Sequence, residues 1–270
     1  MTRGAMVRFE WAAARRGRVV PFFAAGFALA SVGVALAGLS AGGIIAVQGF
    51  ARTSVSLLQL VLWTVPLLAL LLGAAQGAEC YELEFLAALP APRGRVVFGR
   101  WAAWTLALAA ALVAGFGAAA VVIAIFAGAA DVLQYLALIG VAVLLLSAGL
   151  SVGLWMGVAA RTRTRAIGVA VAVWFVFAIG ADLVAIALLA VLPPGGATWN
   201  LATLLLVNPV DSARALGLGV FSADVLAGPT GAALRHLLGG WGAILLILSL
   251  GGWTIIPLRL AGRRLESVDL

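Results

Sequence analysis

Carboxylates and arginines, the residue types that could form ion pairs, are concentrated in the stretch GAECYELEFLAALPAPRGRVVFGRW between Gly77 and Trp101. An apolar run precedes this stretch and another follows it. A polar loop between two membrane spans accounts for the arginines, but not for their order after the carboxylates. We therefore expect this connector to contact another protein through its charges. The residues predicted to carry that contact are Glu79, Glu82, Glu84, Arg93 and Arg95.

The connector also has an apolar pattern that is typical of a short amphipathic helix, with the carboxylates mostly off the apolar side. The apolar positions are Leu83, Phe85, Leu86 and Leu89. Pro90 and Pro92 then end the helix. A second short helix can begin at Arg93 and lead into the next apolar run. Together the two short helices would form a protruding segment that suits docking to a cytoplasmic partner.

Residue sets for catalysis or metal binding are missing from the sequence. All 17 basic residues are arginine, so the chain cannot carry a Walker A loop or a Schiff-base lysine. The single cysteine, Cys80, permits neither an internal disulfide nor a CxxC site. The single histidine, His236, argues against a haem anchor or a membrane enzyme with paired histidines. We expect no catalytic residue and no metal ligand set in this chain.

The composition is that of a helical membrane protein. Hydrophobic residues make up 64% of the chain and charged residues only 10%, whereas a soluble domain has about 25% charged residues. The mean hydropathy is +1.18. The apolar runs are continuous and of membrane-spanning length, which favours helices over a β-barrel. The net charge of +7 does not indicate nucleic-acid binding, because the arginines flank the apolar runs instead of forming a stripe with aromatic residues.

Six spans are predicted within one domain, and an interfacial helix at about 6–18, with Glu10 and Arg15, precedes them. The spans lie at about 20–39, 57–77, 101–127, 132–159, 166–192 and 240–258. Arg52, Arg214 and Arg235 lie beyond the span ends on one side of the membrane, and all other arginines lie on the opposite side. Because the arginine-rich side of a membrane protein faces the cytoplasm, both termini are predicted to be cytoplasmic. The start also fits a signal peptide that would end near Ala37, but we expect the first span to be retained.

The segment 193–239 is too apolar for a solvated loop, so short interfacial or re-entrant helices are predicted before the last span. Asp182 falls about 24 Å along the fifth span, where it is either a functional intramembrane acid or a residue at the wet end of the helix. With Gln59 and Gln76, it could line a polar path across the membrane.

Three glycines, Gly149, Gly153 and Gly157, recur at four-residue spacing in the fourth span. Small residues at this spacing let two helix backbones approach closely in a membrane. The stripe could serve packing inside one subunit or an interface between two subunits.

At the connector, the sequence resembles the ABC-2 class of ABC-transporter permeases. The matching residues are Glu79, Leu83, Glu84, Leu86, Pro90, Arg93 and Gly99, and the departures are Tyr81, Glu82, Pro92 and Arg100. The N-terminal RFEWAAARRGR is similar to the class's interfacial helix, with Glu10 at its acidic position. The resemblance implies a separate ATPase subunit that binds ATP and Mg, and a second permease copy that completes a dimer.

Within the class, LLLVNPVDSARALGLGVF resembles a segment of the permeases that accompany nitrous-oxide-reductase maturation. The matching residues are Asn208, Pro209, Asp211 and Arg214, which would contact an outer partner or form a gate. That resemblance implies a periplasmic accessory protein and a role in assembling a copper–sulfur centre. Copper(I) prefers thiolate and thioether ligands, and Met156 stands alone in the spans. We therefore expect that the chain does not ligate copper, which metal analysis of purified protein tests.

The function predicted from these features is that of a multi-pass permease subunit in the cytoplasmic (inner) membrane, driven by ATP hydrolysis in a partner chain. Two alternatives remain open at this point. One is an ABC-2 exporter of lipids, drugs or other small molecules. The other is a mechanical subunit that transports nothing and relays ATP-driven motion to a periplasmic protein.

Overall fold

The computed structural model describes residues 7–8, 10–12, 17–40, 46–82, 93–127, 132–191, 194–220 and 239–266. Within these ranges all regular secondary structure is helical, which confirms the predicted all-α fold. Six helical stretches of the described residues are long and apolar enough to cross a bilayer, and the prediction of six spans is confirmed. They are Val19–Ala37, Ser54–Glu79, Gly94–Val122, Tyr135–Ala160, Arg163–Val191 and Gly242–Glu266.

The described ranges contain nine α-helices. They are α1 (Val19–Ser40), α2 (Ala46–Glu82), α3 (Arg93–Ala127), α4 (Val132–Ala160), α5 (Arg163–Phe175), α6 (Ala181–Val191), α7 (Pro194–Val207), α8 (Pro209–Val220) and α9 (Gly242–Glu266). A π-helical turn, Val176–Gly180, joins α5 to α6, so the fifth span is one helical segment with a widened turn inside it. A 3-10 turn, Gly239–Trp241, precedes α9.

Helices α2 and α3 extend beyond the segments that hydropathy predicts. Helix α2 continues past 77 to Glu82, and α3 begins at Arg93 instead of 101. Hydropathy marks only the part that lies in hydrocarbon, whereas backbone hydrogen bonding continues through residues such as Glu and Arg, which favour helix. The predicted second helix of the connector is therefore the start of α3. The rest of the connector, 83–92, lies outside the described residues.

Helix α4 lies at the centre of the bundle. In its most apolar stretch 67% of the residues are buried, against 17–44% in the other spans. It packs against α2, α3, α5, α8 and α9. The indole Nε1 of Trp101 in α3 donates a hydrogen bond to the Ser147 carbonyl oxygen of α4 at 3.1 Å. The other spans are thus arranged around one buried helix.

The glycine stripe of α4 faces α2 of the same chain. A Cβ atom built on Gly153 would lie 2.5 Å from the Leu70 carbonyl oxygen and 2.9 Å from Gly73 Cα. Gly157 meets Gly77 in the same way, and a Cβ on Gly149 would lie 2.8 Å from Ala69 Cβ. Only glycine fits where two backbones are this close. The spacing allowed either packing inside one subunit or an interface between two subunits. In the structure the glycines pack against a helix of the same chain.

Helix α1 packs against α3 through aromatic rings and one polar contact. The rings of Phe27 and Phe116 meet edge to face with centroids 5.1 Å apart, and Phe116 meets Tyr135 of α4 in the same way at 5.7 Å. The buried Ser31 hydroxyl donates to the Gly115 carbonyl oxygen at 3.0 Å. These contacts join the first span to the central helices.

The two short helices before the last span turn sharply. Trp199–Val207 of α7 and Pro209–Val220 of α8 meet at an angle of 104°. Helix α7 has 14 residues and α8 has 12. At 1.5 Å per residue each is about 20 Å long, which is shorter than the hydrocarbon core of a bilayer. This agrees with the prediction of short helices in the segment that precedes α9.

Replacing Gly153 by leucine is expected to destabilise the protein by about 3 kcal/mol or more, because the new side chain would collide with the α2 backbone, which cannot yield as a side chain can. Unfolding by denaturant in detergent micelles measures this loss. The matched control is Gly140→Leu on the same helix, where no atom lies within 4 Å of the built Cβ. Its stability should change by only about 0.5 kcal/mol. Equal stability of the two variants would contradict the α2–α4 contact.

Candidate functional site

Among the described residues, two clusters contain the ion pairs, and the fifth span contributes to both. The connector network comprises Glu10, Gln76, Glu79, Arg100, Trp104 and Arg163. The Asn208 cluster comprises Asp182, Asn208, Asp211 and Arg214, with the carbonyl oxygen of Phe177. Arg163 and Asp182 belong to the same span and lie about 28 Å apart along its axis.

The centre of the connector network is a buried arginine. Both Nε and Nη2 of Arg100 contact Glu10 Oε1, at 3.3 and 3.2 Å, and Nη1 donates to the Gln76 carbonyl oxygen at 2.9 Å. The side chains of Arg100 and Glu10 are only 6% and 7% exposed. Charges this far from water remain stable only when they are paired and hydrogen-bonded. The pair therefore holds the N-terminal turn at residues 10–12 against α3.

Gln76 extends the network along α2. Its Oε1 accepts a hydrogen bond from Trp104 Nε1 at 3.1 Å, and its Nε2 donates to Glu79 Oε2 at 2.9 Å. Gln76 and Glu79 are three residues apart, as are helix neighbours that share a face. Glu79 Oε1 lies 3.4 Å from Arg163 Nη1 at the start of α5. The network thus joins the N-terminal turn, α2, α3 and α5 beside both ends of the connector.

The residues predicted to contact the ATPase subunit lie in different parts of the structure. Glu79 belongs to the network, and Arg95 is exposed on α3. Glu82 and Arg93 are at the ends of α2 and α3, and nothing is described of their side chains. Glu84, and Arg15 of the predicted interfacial helix, lie outside the described residues.

Arg100 was not predicted from the sequence as the centre of this network and was noted only as a departure from the family pattern. The sequence nevertheless contains two features that point to a pair between Arg100 and Glu10. Arg100 adjoins a long apolar run, where a charge needs a counter-charge, and Glu10 is the sole acidic residue before Glu79.

Asn208 shapes the sharp turn between α7 and α8. Its Oδ1 accepts the Val210 N–H at 3.0 Å, and its carbonyl oxygen accepts the Ser212 N–H at 2.9 Å, so Asn208 is the N-cap of α8. Pro209 follows at the first helical position, where no backbone N–H is needed. The sequence Asn-Pro therefore ends one helix and begins the next.

The same asparagine joins α8 to the fifth span. Its Nδ2 donates to the Phe177 carbonyl oxygen at 2.8 Å and to Asp211 Oδ2 at 2.7 Å. Phe177 belongs to the π-helical turn, a feature that is frequent at functional sites. Arg214 Nη1 contacts Asp182 Oδ1 at 2.8 Å and Asp211 Oδ1 at 3.0 Å. The predicted residues Asn208, Asp211, Arg214 and Asp182 are therefore brought together in one cluster.

The last carbonyl groups of α7 also have partners. Ser212 Oγ donates to the Leu205 carbonyl oxygen at 2.8 Å, and Trp253 Nε1 of α9 donates to that of Val207 at 2.9 Å. Backbone polar groups in hydrocarbon must be satisfied within the protein. These bonds keep the sharp turn compatible with an apolar environment.

Residues 8–270 match the family model described as ABC-2 family transporter protein. The chain belongs to the ABC-2 transporter family. It is 31% identical over 214 residues to the probable ABC transporter permease protein NosY of Pseudomonas aeruginosa, a match that covers 75% of this chain and 76% of that protein. A relative of the same name from Stutzerimonas stutzeri is 30% identical over 204 residues, which cover 72% of this chain and 73% of that protein.

Membership of the ABC-2 family confirms the resemblance that the connector sequence predicted. Together with the six apolar spans, it identifies a multi-pass membrane protein of the ABC permease type. The connector network lies beside the connector, which is the loop whose sequence carries the resemblance to the family. The Asn208 cluster contains Asn208, Asp211 and Arg214 of the N-P-x-D-x-x-R segment.

The three residues proposed to line a polar path are distributed over the molecule. Gln76 belongs to the connector network and Asp182 to the Asn208 cluster. Gln59 is exposed on α2, about 26 Å along the helix from Gln76. A path through these residues stays a prediction.

Replacing Arg100 by glutamine should cost about 3–5 kcal/mol of stability, because Glu10 would stay buried as an uncompensated charge. The control is Arg163→Gln, which removes an ion pair whose arginine is 61% exposed and should cost less than about 1 kcal/mol. Denaturant unfolding of the detergent-solubilised protein compares them. The double change Glu10→Gln with Arg100→Gln should cost clearly less than the sum of the single changes. Strict additivity would argue against the pairing.

Asn208→Ala should destabilise the protein by about 2–4 kcal/mol, because α8 loses its cap and the Phe177 carbonyl loses a donor. Thr203→Ala serves as the control, since Thr203 is exposed and bonds only within its own helix, to the Trp199 carbonyl oxygen. Limited proteolysis should also cut the α7–α8 turn faster in Asn208→Ala. Proteolysis at the wild-type rate would count against the role of Asn208 in holding this turn.

Proposed function

We propose that this ABC-2 chain is the permease subunit of a transporter whose ATPase is a separate chain. A second copy of the permease completes the membrane part. ATP and Mg are bound by the ATPase, because this chain has no lysine for a Walker A loop. The connector 77–101 faces the cytoplasm and receives the motion of the ATPase.

The connector network is the observation that supports this proposal most directly. Bonds from Gln76 and Glu79 hold the end of α2 to Arg100 of α3 and to Arg163 of α5. A partner that moves the connector therefore displaces three spans and the N-terminal turn together. Packed elements with such ties move as rigid bodies, which is one of the ways in which transporters change state.

The fifth span provides a route from this network to the Asn208 cluster. It begins at Arg163, which contacts Glu79, and continues to Phe177 and Asp182, which contact Asn208 and Arg214. The π-helical turn inside it is a point where the helix can adjust. A shift at the connector can thus reach α8 along one continuous helix without passing through the buried α4.

Nitrous-oxide-reductase maturation is the specific role that we propose. It is supported by the resemblance of the N-P-x-D-x-x-R segment and by the two relatives named NosY. In this role the segment from α7 to α9 contacts a periplasmic accessory protein, and copper is not ligated by this chain.

A mechanical subunit that transports nothing is a second candidate. Within the described residues, Gln59, Gln76 and Asp182 belong to no common network, whereas the fifth span links the two polar clusters. This arrangement suits the relay of motion to an outer partner as well as it suits transport. An exporter of lipids or small molecules would instead need a path for the cargo.

Charge reversal at Glu82 and Glu84 should lower ATPase stimulation in the reconstituted complex several-fold, while the amount of inserted permease stays unchanged. The reason is that a partner surface that binds these carboxylates must be cationic, and reversed charges would repel it. Asp131→Lys is the control, because it reverses one charge in the predicted loop on the other side of the membrane. Full stimulation by the Glu82 and Glu84 variants would refute the docking role.

Co-purification after mild solubilisation separates a simple exporter from the roles that need a periplasmic partner. An ATPase chain together with a periplasmic copper-enzyme maturation protein among the companions supports the maturation role. Recovery of an ATPase alone favours a simple exporter. Full activity of the isolated chain with no ATPase would refute the proposal.

A further inference from the structure

A groove of about 670 Å³ opens between the start of α3 and the end of α9. At one end it is lined by the arginines Arg95, Arg259 and Arg263, and at the other by apolar side chains that include Phe98, Trp101 and Ile255. The two helices touch at its base through glycines, since a Cβ on Gly262 would lie 3.3 Å from Gly94 Cα. The groove is therefore charged at one end and apolar at the other.

The charges in the groove are not balanced within the described part of the chain. Glu266 is the one carboxylate among the lining residues, and its Oε1 accepts the Gly94 N–H at 3.2 Å. Arg95, Arg259 and Arg263 are exposed, and none of them forms an ion pair with a described residue. An anion at this end would meet three guanidinium groups, which hold phosphate oxygens well.

The groove lies at the level of the membrane where the hydrocarbon meets the headgroups. Hydropathy ends the last span near residue 258 and begins the third near 101, so Trp101 and Ile255 lie at hydrocarbon depth. Arg259 and Arg263 follow directly beyond that boundary. Ile255 and Arg263 are about 12 Å apart along the helix. An occupant must therefore be an amphiphile with an anionic head.

We propose that this groove binds one anionic phospholipid. Its phosphate lies among Arg95, Arg259 and Arg263, and an acyl chain lies along Phe98, Trp101 and Ile255. Basic pockets between membrane helices on the arginine-rich side are the kind of site that holds acidic lipid headgroups. Such a lipid would join the start of α3, which follows the connector, to the end of α9. The inference rests on the groove alone and is independent of the proposed function.

Native mass spectrometry of the detergent-solubilised chain, titrated with phosphatidylglycerol or phosphatidylcholine, tests the proposal. The expected result is one tightly bound phosphatidylglycerol, with at least tenfold weaker binding of phosphatidylcholine. The variant Arg259→Gln with Arg263→Gln should bind phosphatidylglycerol about thirty-fold more weakly, since each arginine near an anionic headgroup adds about fivefold to the affinity. Its binding of phosphatidylcholine should not change.

The matched control is Arg161→Gln with Arg165→Gln, which removes two exposed arginines outside the groove, one between α4 and α5 and one in the first turn of α5. It should keep the tight phosphatidylglycerol. If both double variants lost phosphatidylglycerol binding equally, the lipid would be attracted to basic residues in general, and the proposed site would be refuted. Unchanged binding in the Arg259 and Arg263 variant would overturn it too.

Ile255→Trp provides a second variant that keeps every charge. Ile255 is 50% exposed, so the larger ring should fill the apolar end of the groove without disturbing the core. It should weaken phosphatidylglycerol binding at least fivefold. Binding that is unaffected by Ile255→Trp, or that millimolar inorganic phosphate displaces, would mean an anion site without a lipid.

Discussion

A polar group inside an apolar helix bundle must find its partner within the protein, because hydrocarbon offers no hydrogen bond. This constraint accounts for the positions of the side chains that matter most in this ABC-2 chain. Arg100 is buried, so it takes its contacts from Glu10 and from the Gln76 carbonyl oxygen. The sharp turn between α7 and α8 is possible because Asn208, Ser212 and Trp253 supply the bonds that the turn would otherwise lack.

Close packing decides which parts of the bundle can move. The glycines of α2 and α4 bring the two backbones into direct contact, and a separation of these helices would lose that packing along several turns. The fifth span is different, because only 17% of its most apolar stretch is buried and its middle contains a π-helical turn. Its polar ties are at Arg163 near the connector and at Phe177 and Asp182 near α8. A rigid centre with a more exposed, jointed helix beside it is an arrangement that can carry motion along its length.

Much of the fold followed from local sequence patterns, whereas contacts between residues far apart in the sequence did not. Six spans were predicted because each needs only about twenty apolar residues in a row. Helices α2 and α3 are longer than the predicted spans because helical hydrogen bonding does not stop where hydropathy falls. Asn208, Asp211 and Arg214 contact one another because they are close in sequence, and their role at an outer partner or gate stays a prediction. Arg100 was missed as a centre because its partner Glu10 is 90 positions away.

The sequence by itself determined the helical class, the number of spans, the family and the segment where charges collect. These properties depend on composition and spacing within windows of about twenty residues, which a sequence displays directly. The tertiary structure alone decided that the glycine stripe faces α2 and that Asp182 pairs with Arg214. It also decided that three arginines, none of which forms an ion pair with a described residue, share a groove with Trp101 and Ile255. The physical reason is that all six spans are similarly apolar, so hydropathy does not distinguish which helices become neighbours.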